Sequence, residues 1–154
     1  MLFGKQEEKF FVVRTDVNDP LSAYSKHAFE LDDAEWPSVE HYFQGMKFED
    51  LELRESIRQA DHPKVAMELA EANKKHTRKD WKKVEVVMMT RAVYTKCRTH
   101  DAVAEALLET GEVTIVETTM YDYFWGCGRD GRGHNHFGKV LMAVRDKLLE
   151  ERSS

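Results

Sequence analysis

A chain of 154 residues is the size of one domain and long enough to bury one core, so no second domain is expected. One third of its residues are charged, yet the formal net charge is only -5; the surface mixes both signs and excludes a sustained basic stripe, although a nucleic acid remains admissible as a substrate through one extruded base. Two cysteines, Cys97 and Cys127, exclude a disulfide framework and fit a reducing compartment, which predicts a cytoplasmic or nuclear location, and no apolar run is long enough for a signal peptide or membrane helix.

Residues 10–14 read as a short buried strand, broken by Asn18, Asp19 and Pro20 before a fixed loop over residues 21–25. Residues 27–36 alternate around Phe29 and Leu31 with Asp32 and Asp33 between, the pattern of a small hairpin ending at Pro37. The period then lengthens. Ser38 can cap a helix whose apolar face carries Val39, Tyr42, Phe43 and Met46. Asp61, His62 and Pro63 open a second helix, with Val65, Ala66, Leu69 and Ala70 as its buried stripe and Asn73 near its end. A third helix, from about residue 79 past Tyr94, turns Trp81, Val84, Val87, Met88 and Ala92 inward, and a fourth over residues 100–110 stops at Gly111. Residues 113–116 make a strand, and the last helix runs over about 137–150 on Leu141, Val144 and Leu148. The fold class is therefore mainly α with a few short β-strands, one domain over residues 10–150 behind a flexible N-terminus at residues 1–9.

Two segments carry chemistry. In the helix after Ser38, Glu40, Gln44 and Lys47 stand at i, i+4 and i+7, so one polar face aligns a carboxylate, an amide and an amine beside the apolar stripe, at the edge of the core where pockets form. The alternative is a capping carboxylate in the first turn with Lys47 simply solvated. The second segment, residues 121–135, sets four glycines after a run of aromatic and acidic residues. Its backbone can approach a ligand closely, and glycine amides, Arg129, Arg132 and the N-terminus of the last helix suit a phosphate; an ordinary glycine-rich connector is the alternative. Tyr121, Tyr123, Phe124 and Trp125 suit either a wall for a flat base or core filling, with at least two assigned to the core. Asp122, an acid within an aromatic run, is either paired and buried or placed for chemistry. Cys127, His134 and His136 lack a fourth ligand and the usual spacing, so no metal or other cofactor is expected.

The run Trp36-Pro37-Ser38-Val39-Glu40-His41-Tyr42-Phe43-Gln44, followed by Lys47-Phe48, resembles the signature of the NADAR (YbiA-like) family. The resemblance continues through residues 21–25, Arg78 to Trp81, Val87-Met88, Val116-Glu117, Asp122, Trp125-Gly126, Asp130-Gly131, Gly133, Asn135, Gly138 and Leu141-Met142, spanning about residues 10–148. Ala23 and Tyr24 stand where the family commonly has Asn and Phe, Phe137 replaces Leu, and Glu85 occupies a position often held by Lys. The resemblance implies a compact YbiA-like helical domain and a metal-free N-glycosidase. Its two associated substrate classes are ribosylamino-pyrimidine phosphates from riboflavin synthesis and guanine bearing ADP-ribose on its exocyclic amine.

Cleaving a bond from ribose to an amine needs a proton for the departing nitrogen and stabilisation of an electron-poor anomeric carbon. Glu40 is the expected acid/base and Asp122 the carboxylate that orients the ribose. The resemblance favours a route in which the ribosylamine opens to an imine and Lys47 displaces the base as a Schiff base. Trp81 and Trp125 are the expected stacking surfaces. Gln44, Gly126, Arg129, Asp130, Gly131, Gly133 and Asn135 complete the expected binding set for ADP-ribose or a ribosyl phosphate, carried on single-stranded DNA or RNA or on a metabolite, with no membrane partner. A non-catalytic ADP-ribose-binding module is the rival class.

Overall fold

The computed structural model describes residues 8–154. The flexible segment expected at residues 1–9 lies outside the described residues up to position 7, and Lys9 already opens a strand. Strand β1 (Lys9–Val12) runs parallel to β4 (Thr114–Glu117), with Val12 opposite Glu117, while β2 (Phe29–Leu31) pairs antiparallel with β3 (Ala34–Trp36). The helices are α1 (Val39–Gly45), α2 (Leu51–Arg58), α3 (Pro63–Ala72), α4 (Trp81–Thr99), α5 (Asp101–Leu108) and α6 (His136–Ser153), with a 3-10 turn at Lys74–His76. The fold is mainly helical, as expected. Among the described residues, no helix is long and apolar enough to cross a membrane.

The predicted hairpin closes through Asp32 and Asp33, both at positive φ (54° and 64°), the pairing a two-residue turn needs to follow strand twist. Asp32 then ties the hairpin down: it accepts from the Tyr42 hydroxyl at 2.7 Å and pairs with Arg91 of α4. Helix α4 is the spine, in contact with β2, α1, α5 and α6. Around it the main core gathers Phe29, Trp36, Tyr42, Met89, Leu107, Ile115, Phe137 and Leu141. Each such side chain contributes roughly 1.5–3 kcal/mol on burial. Ser38 caps α1 as expected, its hydroxyl accepting from the His41 amide at 3.2 Å. All seven residues of α1 are buried, so its polar side chains must find partners inside the protein.

Three expectations change. Strand β1 is not buried: Phe11 is 62% exposed and only Val12 enters the core, because β1 pairs with β4 alone among the described strands. Val65 and Val87 face outward; α3 buries Pro63, Ala66 and Ala70, and α4 buries Met89, Ala92, Val93, Lys96 and Cys97, each a stripe that leaves the valine off it. Helix α2 was absent from the predicted elements because it is polar overall, with Leu51 exposed and only Ile57 buried. Its signal lay in the cap, Asp50 accepting from Glu52 and Leu53 amides at 3.0 and 3.2 Å. Ile57 joins Phe48, Ala66 and Ala70 in a second, smaller core under the exit of α1.

Candidate active site

The centre of the site is Glu40, fully buried on α1. It is ion-paired with Arg14, and its Oε2 accepts from Gln44 Nε2 at 2.8 Å, while the helix cap is supplied by Ser38. The fixed loop over residues 21–25 is buried throughout and threads the two charges together: Ala23 donates its amide to the Arg14 carbonyl at 2.9 Å and accepts from the Glu40 amide at 3.0 Å. Burial alone would lower the Arg14 pKa, but Glu40, Asp122, Tyr24 and Glu117 more than offset it and hold the guanidinium above its ordinary value. The Tyr24 phenol is pushed up to about 12 by burial and by Glu40. Gln44 Oε1 is buried without a hydrogen-bond partner among the described residues, an acceptor left for a donor.

Lys47 reaches this cluster by a route the helical spacing did not anticipate. Helix α1 ends at Gly45, and Lys47 lies in the tighter turn beyond it, where its amide donates to Gln44 and that of Phe48 to Gly45. The helix stops because Phe48 plunges into the second core, while Gly45 packs so close to Trp36 that a Cβ there would lie 2.8 Å from the ring. The Lys47 carbonyl accepts from the Arg78 amide at 2.8 Å, and its Nζ stands 5.6 Å from the Phe43 ring centroid and 6.0 Å from that of Trp81. Burial pushes its pKa below the ordinary lysine value, against the pull of Glu40, Glu71 and Glu85. A half-buried amine of this kind carries more of the neutral, nucleophilic form than a surface lysine.

The aromatic wall is continuous. Trp81 and Trp125, both buried, flank Phe43 at 5.1 and 5.3 Å, and Phe124 extends the series to His136. Tyr121 and Tyr123 are exposed, leaving Phe124 and Trp125 as the two packed members of the run. Asp122 Oδ1 accepts from the Phe124 and Trp125 amides at 3.1 and 2.8 Å, so this carboxylate orients the tryptophan while its charge acts on Arg14.

The glycine-rich segment closes on itself. The amides of Gly133, His134, Asn135, His136 and Phe137 donate to the carbonyls of Cys127, Tyr123, Gly126, Phe124 and Trp125, which engages the first two amides of α6. Gly126 and Gly133 are required for close approach: a Cβ on Gly126 would lie 2.5 Å from Glu117 Oε1, and one on Gly133 2.3 Å from the Gly126 carbonyl. Asn135 is a clasp, accepting from the Glu117 amide at 2.8 Å and donating to the Ile115 carbonyl at 2.9 Å. Arg129, Asp130, Gly131 and Arg132 form an exposed tip, with Asp130 accepting from the Arg132 amide. The tip makes no hydrogen bond or ion pair with the Glu40 cluster among the described residues.

Glu40, Gln44, Lys47, Trp81 and Trp125 thus converge, with Asp122 joined through Arg14. Glu117 entered the sequence reading only as part of a matching pair, yet it and Arg14 both adjoin the candidate site. Glu117, 1% exposed, accepts from the Arg14 amide at 2.6 Å and from Thr119. Only the β1–β4 register, which sets Val12 opposite Glu117, brings them together.

Residues 4–149 match the NADAR domain. The chain is 38% identical over 131 residues to the N-glycosidase Npun_R5314 of Nostoc punctiforme, covering 83% of this chain and 84% of that protein. It is 35% identical over 143 residues to the N-glycosidase YbiA of Escherichia coli, covering 93% and 89%. The NMR structure of E. coli YbiA superposes with a TM-score of 0.84 at 32% identity, covering 94% of this chain and 88% of that one. The riboflavin biosynthesis protein VVA0006 of Vibrio vulnificus is 38% identical over 115 residues, 75% of this chain but 31% of that longer protein. With the match running nearly end to end and the fold shared, the chain belongs to the NADAR domain family and is a homologue of the YbiA N-glycosidases.

Proposed function

We propose that this protein is an N-glycosidase that removes ADP-ribose from the exocyclic amine of guanine in DNA or RNA, with Lys47 as nucleophile. The observation that carries this reading is the half-buried Lys47 amine, held against Phe43 and Trp81 beside the Arg14–Glu40 ion pair. A pure ADP-ribose binder needs neither a depressed amine nor a carboxylate set to exchange protons with it. Two named relatives, from N. punctiforme and E. coli, are N-glycosidases, which supports the reaction class.

The ribosylamine ring opens when its O4′ leaves C1′ and takes a proton from solvent, the nitrogen lone pair giving a protonated imine between C1′ and the base nitrogen. Neutral Lys47 Nζ adds to C1′; Glu40, which begins ion-paired, accepts the proton released by the new ammonium and returns it to the base nitrogen. The C1′–N bond to the base then breaks, the lone pair of Nζ forms the lysine iminium, and water hydrolyses this to the free sugar and the regenerated amine. In this reading the unpartnered Gln44 Oε1 accepts from a sugar hydroxyl or amine, and the packed Trp81, Phe43 and Trp125 rings support the flat base.

The relative named for riboflavin biosynthesis favours a second substrate, a ribosylamino-pyrimidine phosphate, by the same chemistry. Both substrates are offered in parallel with sodium borohydride present. The expected result is ADP-ribose release from the modified oligonucleotide and a sugar adduct on Lys47 in the mass spectrum. Release of ribose phosphate alone assigns the metabolite, and full turnover by Lys47→Ala would exclude the Schiff base.

A further inference from the structure

The charge balance of the whole chain hides a local one. Residues 74–83 hold Lys74, Lys75, Arg78, Lys79, Lys82 and Lys83 against a single carboxylate, in a protein whose formal net charge is -5. That carboxylate, Asp80, is spent on Arg78 through two bonds of 2.6 and 3.0 Å, and among the described residues Lys75, Lys79, Lys82 and Lys83 make no ion pair. All four are exposed.

Their placement works against the fold. Lys82 and Lys83 occupy the first turn of α4, and Asp80, at its N-cap, makes no side-chain capping bond, so the positive end of a 19-residue helix is loaded with further positive charge. Such charges destabilise a helix unless an anion neutralises them. The cluster also borders the site: the Arg78 amide donates to the Lys47 carbonyl at 2.8 Å, and Trp81, between Asp80 and Lys82, is the ring that packs on Phe43. Beside it opens a groove of about 700 Å³ whose lining includes Lys75, His76, Arg78 and Lys79 together with Glu49, Asp50 and Asp80.

From this we infer that residues 74–83 form the track for the phosphodiester backbone of a single-stranded nucleic acid, which delivers one extruded base past Trp81 to Lys47. The inference deepens the proposed function and rests on it for the chemistry at the base. Lysines flanking Trp81 at the border of the aromatic site match how such strands are held, by charge along the backbone and by stacking at the base.

The test compares wild type with the triple variant Lys75→Ala, Lys79→Ala, Lys83→Ala on two substrates, a single-stranded oligonucleotide carrying ADP-ribosyl guanine and the corresponding modified mononucleoside. The variant is expected to lose at least tenfold in kcat/KM on the oligonucleotide at ~100 mM salt and to keep its kcat/KM on the mononucleoside, and the slope of log affinity against log salt falls by about 2. Equal loss on both substrates, or an unchanged salt slope, overturns the track. Should wild type turn over neither substrate, the proposed function fails, and anisotropy of an unmodified labelled oligonucleotide still decides the track: lysine-dependent binding supports it and its absence overturns it. Lysine-dependent binding to phosphatidylserine vesicles in preference to the oligonucleotide also overturns it.

Discussion

Replacing Asn135 by alanine separates a residue that builds the site from one that touches the ligand. In the structure both polar atoms of the side chain are consumed by β4, and the backbone sits in the left-handed region at φ 54°. Alanine would strand the buried Glu117 amide and Ile115 carbonyl, at roughly 1–3 kcal/mol each. It would add about 1 kcal/mol for a residue that tolerates that backbone conformation less well than asparagine. The expected loss is therefore roughly 3–7 kcal/mol, or a fall in Tm of roughly 6–28 °C at about 2–4 °C per kcal/mol for a chain of this size. Thermal denaturation by circular dichroism measures it, and turnover well below the new Tm is compared per folded molecule. KM should then stay near the wild-type value. A variant whose Tm lies within ~2 °C of wild type but whose KM rises sharply would refute the clasp and restore Asn135 as a ligand contact.

Other outcomes follow from the same geometry. Because burial depresses the Lys47 pKa, the neutral amine accumulates as pH rises, so kcat/KM should climb with pH and level off below the ordinary lysine value of 10.5; a profile flat across that range would deny Lys47 the nucleophile's role. Arg14→Met should lower kcat/KM by at least 10²-fold and also destabilise the fold by roughly 3–5 kcal/mol, because it leaves the fully buried Glu40 carboxylate without its ion-pair partner; an unchanged Tm with intact activity would contradict this. Gly126→Ala forces a Cβ against Glu117 Oε1 and the Asp122 carbonyl, so it should cost roughly 1–3 kcal/mol in urea unfolding and depress activity as well. Lys96, buried with a pKa lowered to about 8, binds its proton more weakly folded than unfolded; wild type should gain roughly 3 kcal/mol between pH 8 and 10.5 that Lys96→Met does not, and identical pH slopes would disprove the desolvation.

What could be read from the chain in advance was mostly local. The Ser38 cap, the double-aspartate hairpin turn and the periodic faces of α1, α4 and α6 are set by residues within a few positions of one another, and these elements stand where they were expected. Helix α2 escaped because a helix covering a small satellite core needs only Ile57 to be fully buried. Glu40 and Lys47 were recognisable from their spacing, but the reason they meet was not: the helix ends between them, and ring packing and the Arg78–Lys47 backbone bond bring the amine back. Arg14 and Glu117, 103 positions apart, were beyond reach, since only strand pairing joins them. The glycine-rich segment was legible only in part for a related reason. Its composition announces close backbone approach, yet the backbone it approaches is its own, and that is a tertiary fact.

The sites where this protein departs from an economical fold lie around one place. A carboxylate and a guanidinium are buried together, an amine is half-withdrawn from water, an amide oxygen is left without a partner, and lysines crowd the wrong end of the longest helix. Each costs stability that an apolar or oppositely charged residue would not. Away from this place the core is mostly aromatic and aliphatic side chains packed on α4, and its buried cations, Lys96 and Arg145, donate to Ser22, Thr110 and Val113. When local and global preferences agree over most of a chain and conflict in one region, that region is where function has overridden stability. Here the conflicts converge on the space between Lys47, Glu40 and the tryptophans, and the unfavourable lysines lead away from it along the protein surface. A free sugar phosphate would occupy the first of these features and leave the second unexplained; a base carried on a phosphodiester strand accounts for both.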